Sequence, residues 1–92
     1  MGKVVIVVYK PKKGKENLLL DVVRDHLPVL RAQGLVTDRK PIVARAADGA
    51  IIEVFEWKSA DAIDKAHSNP EVQRLWGRFS EACDYTRPID VK

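Results

Sequence analysis

Apolar residues follow two different periods along the first third of the chain, and each period predicts a different element. Val4 to Tyr9 is an unbroken run of Val and Ile closed by a tyrosine, which is typical of a central strand buried on both faces. After it, the spacing changes to that of an amphipathic helix over about residues 15–33. The apolar stripe of this helix consists of Leu19, Val22, Val23, Leu27 and Leu30, and it encloses His26.

The middle of the chain predicts a β-hairpin. One strand begins over residues 41–44, and its partner covers residues 50–57. The pair Asp48-Gly49 between them predicts a type I′ turn, in which both central residues have positive φ. Alternation places Glu53 and Glu56 on opposite faces of the second strand, so at most one can face a pocket and they do not form a catalytic carboxylate pair. Both faces are mostly apolar, and we expect both to be covered.

Two helix start signals follow the hairpin. Ser59 is a good N-cap for a short helix on which Ile63, Ala66 and His67 share a face. Asn69 and Pro70 start a second helix. Its apolar stripe is Val72, Leu75, Trp76, Phe79 and Cys83. The remaining segment, residues 84–91, contains Pro88 and predicts a last edge strand, because proline cannot donate to a strand ladder.

The element order is strand, helix, strand, strand, helix pair, strand. A right-handed crossover followed by a hairpin predicts a ferredoxin-like α+β sandwich, with an antiparallel sheet and the helices on one face. We expect one domain over residues 1–92, since a chain of this length has room for one core. The first strand has no polar side, so the other sheet face is apolar too. A second copy stacked sheet to sheet is the simplest cover, which predicts a homodimer.

Composition and charge exclude several classes. With 46% hydrophobic and 32% charged residues, the chain is predicted to fold. Its apolar runs are too short to span a bilayer and its N-terminus does not match a signal peptide, so we expect a cytoplasmic protein without a membrane partner. The net charge of +3 includes a lysine-rich turn over residues 10–15. Without interleaved aromatics or a recognition helix, this turn favours a solvated loop over a nucleic-acid site.

The runs EVFEWKSADAIDKAH and NPEVQRLW resemble the antibiotic-biosynthesis-monooxygenase-like proteins of the dimeric α+β barrel superfamily. The matching positions are Glu53, Glu56, Trp57, Ser59, His67 and Pro70. The resemblance implies a homodimer that forms a dimeric α+β barrel, with a pocket between sheet and helices in each subunit. It also implies oxidation of aromatic or quinol-like substrates by O₂ without metal or flavin. Haem-degrading members carry an Asn on the first strand, which this chain lacks.

The two histidines, His26 and His67, are the candidate catalytic residues. Each lies on the apolar stripe of a helix, where it could take a proton from a phenolic or enolic substrate. The alternative is a pair of core histidines bonded to carbonyls or carboxylates. The candidate substrate-binding residues are Tyr9, Phe55, Trp57, Trp76 and Phe79, which could equally be core aromatics. No metal site is predicted, because the histidine spacing matches no metal signature. The resemblance implies that no cofactor is needed, and Cys83 is not expected to be a nucleophile.

Three functions of different classes remain open. The first is a cofactor-independent, monooxygenase-like enzyme for a small hydrophobic or aromatic molecule, in a pocket between sheet and helices. The second is a non-catalytic homodimer that binds a small ligand in the same pocket. The third is a structural module, for which the pocket should be packed shut. We prefer the enzyme, because titratable groups on apolar helix faces cost free energy unless they are bonded.

Overall fold

Eight elements follow the predicted order in the computed structural model, which describes residues 2–85 and 89–91. They are β1 (Lys3–Pro11), α1 (Glu16–Ala32), β2 (Ile42–Arg45), β3 (Ile51–Trp57), α2 (Ala60–His67), α3 (Pro70–Ala82), β4 (Cys83–Tyr85) and β5 (Ile89–Val91). The predicted last strand is thus present as two short strands. Pro88, on which the edge-strand argument rested, lies outside the described residues.

The strands form one antiparallel sheet in the order β2-β3-β1-β4, and β5 also pairs with β1. The central position predicted for the first strand is confirmed, since β1 pairs with β3 along one side and with β4 and β5 along the other. Helices α1 and α3 pack against each other. Their buried residues and those of α2 belong to the same core as the buried residues of β1 and β3. This is the predicted ferredoxin-like α+β fold.

The hairpin between β2 and β3 is present, but the predicted type I′ turn is wrong. Only Gly49 has positive φ, at 93°, whereas Asp48 does not. The Gly49 amide donates to the Ala46 carbonyl over 3.0 Å, so Ala47 and Asp48 form the centre of the turn. Gly49 follows as a left-handed bulge residue. The Asp48 carboxylate accepts a hydrogen bond from the Ala50 amide over 3.0 Å, which stabilises the turn just before β3 begins.

The two predicted N-caps are confirmed and fix the helix pair. The Ser59 hydroxyl accepts from the Ala62 amide over 3.1 Å at the start of α2. The Asn69 side chain accepts from the amides of Glu71 and Val72 at the start of α3. These caps satisfy helix amides that have no intrahelical partner. They therefore fix the residues at which α2 and α3 begin.

Burial alternates strictly along β3, and the helices cover one sheet face only. Every second residue of β3, beginning with Ile51 and Glu53, lies under the helices and is buried. The residues between them are half-buried. Within one chain β1 and β3 are covered on one face only, and cover of the other face by a second copy stays a prediction. The uncovered surface, called the open sheet face below, comprises Val4, Ile6, Val8, Ile42, Ala44, Ile52, Val54 and Glu56. Its edge residue Ile42 is 63% exposed.

Candidate functional site

A cavity of about 510 Å³ lies between the sheet and all three helices. This cavity is called the first cavity, and its lining consists of Val5, Val7, Tyr9, His26, Phe55, Trp57, Ile63, His67, Trp76 and Phe79. The set includes every candidate site residue predicted from the sequence. It adds three aliphatic residues that were not predicted, Val5, Val7 and Ile63. Their roles in catalysis or substrate binding stay predictions.

Two polar side chains that line this cavity, those of Tyr9 and His26, bond the buried carboxylate of Glu53, which is not part of the lining. Glu53 on β3 is 1% exposed, and its Oε1 accepts a hydrogen bond from the Tyr9 hydroxyl over 2.8 Å. The same oxygen lies 2.6 Å from Nδ1 of His26, which is itself 3% exposed. These residues, called the polar cluster, connect β1, β3 and α1. Their mutual hydrogen bonds explain how buried polar groups are accommodated in an otherwise apolar core.

The geometry assigns a role to each ring nitrogen of His26. A carboxylate oxygen only accepts hydrogen bonds, so Nδ1 carries the proton that bonds Glu53. In the neutral ring this leaves a lone pair on Nε2, which has no hydrogen-bond partner among the described residues. Every fully buried side-chain nitrogen or oxygen in that part of the chain has a partner. Nε2 is therefore not sealed in the core, and it is accessible from the first cavity that His26 lines.

Aromatic rings hold the polar cluster in place. The His26 ring makes T-shaped contacts with Phe55 and Phe79 at centroid distances of 5.2 and 5.0 Å. Tyr9 stacks on Phe79 at 4.7 Å with an interplanar angle of 11°. Such contacts favour one orientation of each ring. The Tyr9 hydroxyl and the His26 imidazole are therefore fixed relative to the cavity before any ligand enters.

His67 has a different environment from His26. It is exposed, although the sequence had placed it on an inward helix face with Ile63 and Ala66. The reason is that burial along α2 is limited to Ala62 and Ala66, and His67 is the last residue of the helix. Its ring contacts Trp76 at a centroid distance of 5.0 Å. Since both residues also line the first cavity, they stand at its solvent end.

Glu53 is the site residue that sequence reasoning missed. The available signal was a carboxylate at an inward position of a strand, between Ile51 and Phe55. Alternation showed that it faces away from Glu56, but the pattern contains no information on which distant side chains would bond it. Those partners are 44 and 27 residues away along the chain.

Cys83 is buried at the junction of α3 and β4. Its thiol donates a hydrogen bond to the Phe79 carbonyl over 3.2 Å. Burial, with a smaller contribution from the negative charge of Asp84, raises the pKa of the Cys83 thiol to about 11. A thiol with this pKa is neutral at physiological pH, which agrees with the expectation that Cys83 is not a nucleophile.

The structure also bears on the metal and membrane predictions. Among residues 2–85 and 89–91, no group of three or more His, Cys, Asp and Glu side chains is placed to hold a metal ion. In the same part of the chain, none of the helices has the length and apolar character needed to cross a membrane. The lysine-rich turn is exposed, and Lys12 donates to the Ser80 carbonyl over 2.8 Å. This bond ties the turn to the end of α3.

No protein-family model matches the sequence, and no curated protein matches it. Solved structures do match. One is an antibiotic biosynthesis monooxygenase, 19% identical, with a TM-score of 0.76 over 100% of this chain and 97% of that one. Another is SnoaB from Streptomyces nogalater, a cofactor-independent oxygenase, 13% identical, with a TM-score of 0.78 over 100% and 93%.

A third structure is a dimeric ferredoxin-like protein of unknown function from Jannaschia sp. CCS1. It is 12% identical, with a TM-score of 0.76 over 100% of this chain and 99% of that one. All three likenesses extend over the full length of this chain and over at least 93% of the other, at low sequence identity. The expected likeness to antibiotic-biosynthesis-monooxygenase-like proteins is confirmed for the fold, and this chain has the ferredoxin-like α+β fold that those proteins share.

Proposed function

We propose that this protein is a homodimeric, cofactor-independent, monooxygenase-like enzyme that acts on an aromatic or quinol-like molecule in the first cavity. The observation that carries the proposal is the polar cluster, in which Tyr9 and His26 line an aromatic cavity and both bond the buried carboxylate of Glu53. An open histidine nitrogen backed by a buried carboxylate is the arrangement expected of a general base. The likeness in fold to a cofactor-independent oxygenase supports the same reaction class.

In this proposal the His26 Nε2 lone pair removes a proton from a phenolic or enolic substrate. The imidazolium that forms keeps its Nδ1 proton on Glu53, whose negative charge stabilises the new positive charge. The Tyr9 hydroxyl bonds the same carboxylate oxygen and holds it in position. Because the cluster is assembled before substrate arrives, little reorganisation is needed when charge develops.

The deprotonated substrate is electron-rich and transfers an electron to O₂. One oxygen atom then bonds to an activated substrate carbon that carries two hydrogens, and this carbon becomes a carbonyl. The second oxygen atom leaves with the two hydrogens as water. Oxidation of the carbon balances reduction of O₂, so the reaction needs no external reductant.

The aromatic residues and His67 have separate roles in this proposal. Flat apolar walls at Phe55, Trp57 and Phe79 bind an aromatic ring by burial and stacking. Trp76 and His67 contact each other at the solvent end, where they close over the bound molecule. His67 is exposed and is available to exchange a proton with solvent. It is the second of the two proposed catalytic histidines.

The homodimer is supported by the open sheet face. Its central residues are apolar and only half-buried within one chain, and Ile42 at its edge is largely exposed. A contiguous apolar surface of this kind is rare on a monomer and marks an interaction site. The similar Jannaschia protein is dimeric. We propose that a second copy covers this face, sheet against sheet, which leaves the helix side and the first cavity free.

The test is O₂ consumption by the purified protein across a panel of phenols, quinols and enolisable polycyclic ketones. Substitution His26→Ala should lower the rate constant by about a hundredfold or more, the usual contribution of a general base. His67→Ala should lower it by less, because His67 has no buried partner. With ¹⁸O₂, one labelled atom should enter the product and the other should enter water.

Val22→Ala is the matched control. Val22 is buried on α1 one turn before His26, but it does not line the first cavity. It should therefore reduce stability without the loss of activity. Saturable binding with no O₂ uptake across the panel would favour the alternative, a non-catalytic ligand-binding homodimer. Absence of both binding and O₂ uptake would leave only a structural homodimer.

A further inference from the structure

A second cavity of about 450 Å³ lies on the helix side of the sheet, away from the first. This cavity is called the second cavity, and its lining consists of Leu20, Val23, Arg24, Leu27, Pro28, Arg31, Pro41, Val43 and Glu53. Val43 on β2 pairs directly with Glu53 on β3, so both residues lie on the covered face. The second cavity is therefore not on the open sheet face, and a partner stacked there leaves it accessible.

Glu53 forms the wall between the two cavities. Its Oε1 accepts from Tyr9 and His26, which line the first cavity, whereas Glu53 itself lines only the second. Its Oε2 has no hydrogen-bond partner among the described residues. No fully buried side-chain oxygen of that part of the chain lacks a partner, so Oε2 is not sealed. The buried carboxylate of Glu53 thus has one oxygen without a protein donor in the wall of the second cavity.

The other polar groups of the second cavity are two arginines on α1. Arg24 and Arg31 are seven residues apart, which places them on one helix face two turns from each other. Arg24 forms an ion pair with Asp21 over 3.4 Å. Both side chains are exposed, and ion pairs at exposed positions are weak. Arg31 has no ion pair among the described residues. Both guanidinium groups are therefore available to an anion.

We propose that the second cavity binds a small amphipathic carboxylic acid that carries a hydrogen-bond donor at the end opposite its carboxylate. The donor bonds Oε2 of Glu53, and the apolar body packs on aliphatic residues such as Val23 and Leu27. The carboxylate binds Arg31 and Arg24. A purely apolar ligand would leave Oε2 unbonded, and a cationic ligand would be repelled by the two arginines, so the lining selects this combination.

Binding there affects the first cavity through Glu53. A donor on Oε2 withdraws negative charge from Oε1, which weakens the acceptor shared by Tyr9 and His26. The inference does not depend on any catalytic activity of the protein, because it rests on the lining of a separate cavity. It predicts that occupancy of the second cavity is detected at the His26 ring, even without a substrate.

The experiment is an NMR titration of the ¹³C-methyl and ¹⁵N-histidine labelled protein with 3-(4-hydroxyphenyl)propionate. We expect saturable shifts at the methyl groups of Val23, Leu27 and Val43, with a simultaneous shift of the His26 ring nitrogens. Two matched compounds lack one end each. Both 3-phenylpropionate, without the donor, and tyramine, without the carboxylate, should bind about tenfold more weakly or worse, the loss expected for one good hydrogen bond or ion pair.

Two surface variants complete the test. Arg31→Gln should weaken binding of the acid about tenfold, and it should not weaken binding of tyramine, because it removes one of the two charges that repel its ammonium group. Val43→Trp, at a position that is 50% exposed, should fill the cavity and abolish the shifts while the spectrum remains that of a folded protein. The proposal is overturned if all three compounds bind equally, if shifts are confined to first-cavity residues such as Val5 and Ile63, or if no saturable shift occurs at millimolar ligand.

Discussion

Two glutamates three residues apart on β3 show how different the two faces of the sheet are. Glu53 points under the helices, is 1% exposed, and bonds Tyr9 and His26 from two other elements. Glu56 points to the open sheet face, where its side chain is 16% exposed. It accepts from the Thr37 hydroxyl over 2.8 Å and from Arg39 over 3.3 Å, both in the segment before β2. One strand therefore carries a buried site residue and a surface ion pair.

The difference shows that what covers a face decides the role of its polar residues. Both glutamates follow the same alternation, and both find hydrogen-bond donors. Under the helices, water is excluded, so the interactions of Glu53 are strong and the loss of a partner is costly. Arg39 is 63% exposed, so water and salt screen its ion pair with Glu56. The comparison predicts unequal effects when each set of contacts is changed.

The largest effect is expected from removing the carboxylate under the helices. Glu53→Ala leaves the Tyr9 hydroxyl and the His26 ring without their buried partner, and it opens a cavity. The free energy of unfolding should fall by about 3 kcal/mol, in the range for breaking a buried polar network. Urea unfolding followed by circular dichroism measures this loss. Glu53→Gln, which retains an acceptor oxygen, should lose clearly less, and an equal loss in the two variants would contradict the role of the hydrogen bonds.

The second prediction concerns the open sheet face. Ile6→Asp places a charge at its centre, where β1 pairs with β3 opposite Val54. If a second copy covers this face, the dissociation constant of the dimer should rise at least tenfold, because a buried unpaired charge is costly. Sedimentation equilibrium over a concentration series measures the change. Ala47→Asp in the exposed hairpin turn adds the same charge elsewhere and should leave the association state unchanged.

Much of this contrast can be predicted from sequence. The alternation in residues 51–57 placed the two glutamates on opposite faces, and helix periodicity placed His26 in an apolar stripe that the structure buries. The caps at Ser59 and Asn69 could be predicted from the sequence because capping depends on neighbouring residues only. These features share one property, namely that their cause lies within a few residues of their effect.

The rest depended on contacts between distant parts of the chain. Sequence reasoning did not find that Glu53 would bond His26, because the register of β3 against α1 is set by packing of the whole core. It also placed His67 on an inward face, whereas α2 ends there and leaves the ring exposed. The prediction of the turn type at Asp48-Gly49 was wrong for a related reason. The dipeptide signals a hairpin, but the strand register decided that only Gly49 takes positive φ.

The third prediction separates the two bonds that Glu53 accepts. Tyr9→Phe removes the hydroxyl but keeps the ring stacked on Phe79. His26 remains bonded to Glu53, so the loss of unfolding free energy should be about 1 kcal/mol, the net value of one hydrogen bond. Thermal unfolding or urea titration detects this change. A loss as large as that of Glu53→Ala would mean that Tyr9, rather than His26, is the principal partner of the carboxylate.

The smallest effect on the free energy of unfolding is expected from replacing Glu56. The dependence of this effect on pH shows whether it comes from the Glu56 charge. The Thr37 hydrogen bond, with the help of Arg39, lowers the pKa of Glu56 below its usual value of 4.5. A carboxyl group with a lowered pKa in the folded state stabilises the fold above its unfolded pKa, and this contribution disappears as pH falls through the folded pKa. Wild type should therefore exceed Glu56→Gln in unfolding free energy at pH 7, and the difference should vanish on acidification well below pH 4.5. Urea titrations of both proteins across this range measure the difference. Added salt at pH 7 should reduce it, because Arg39 is exposed, and a difference that persists at low pH would assign the effect to packing rather than to charge.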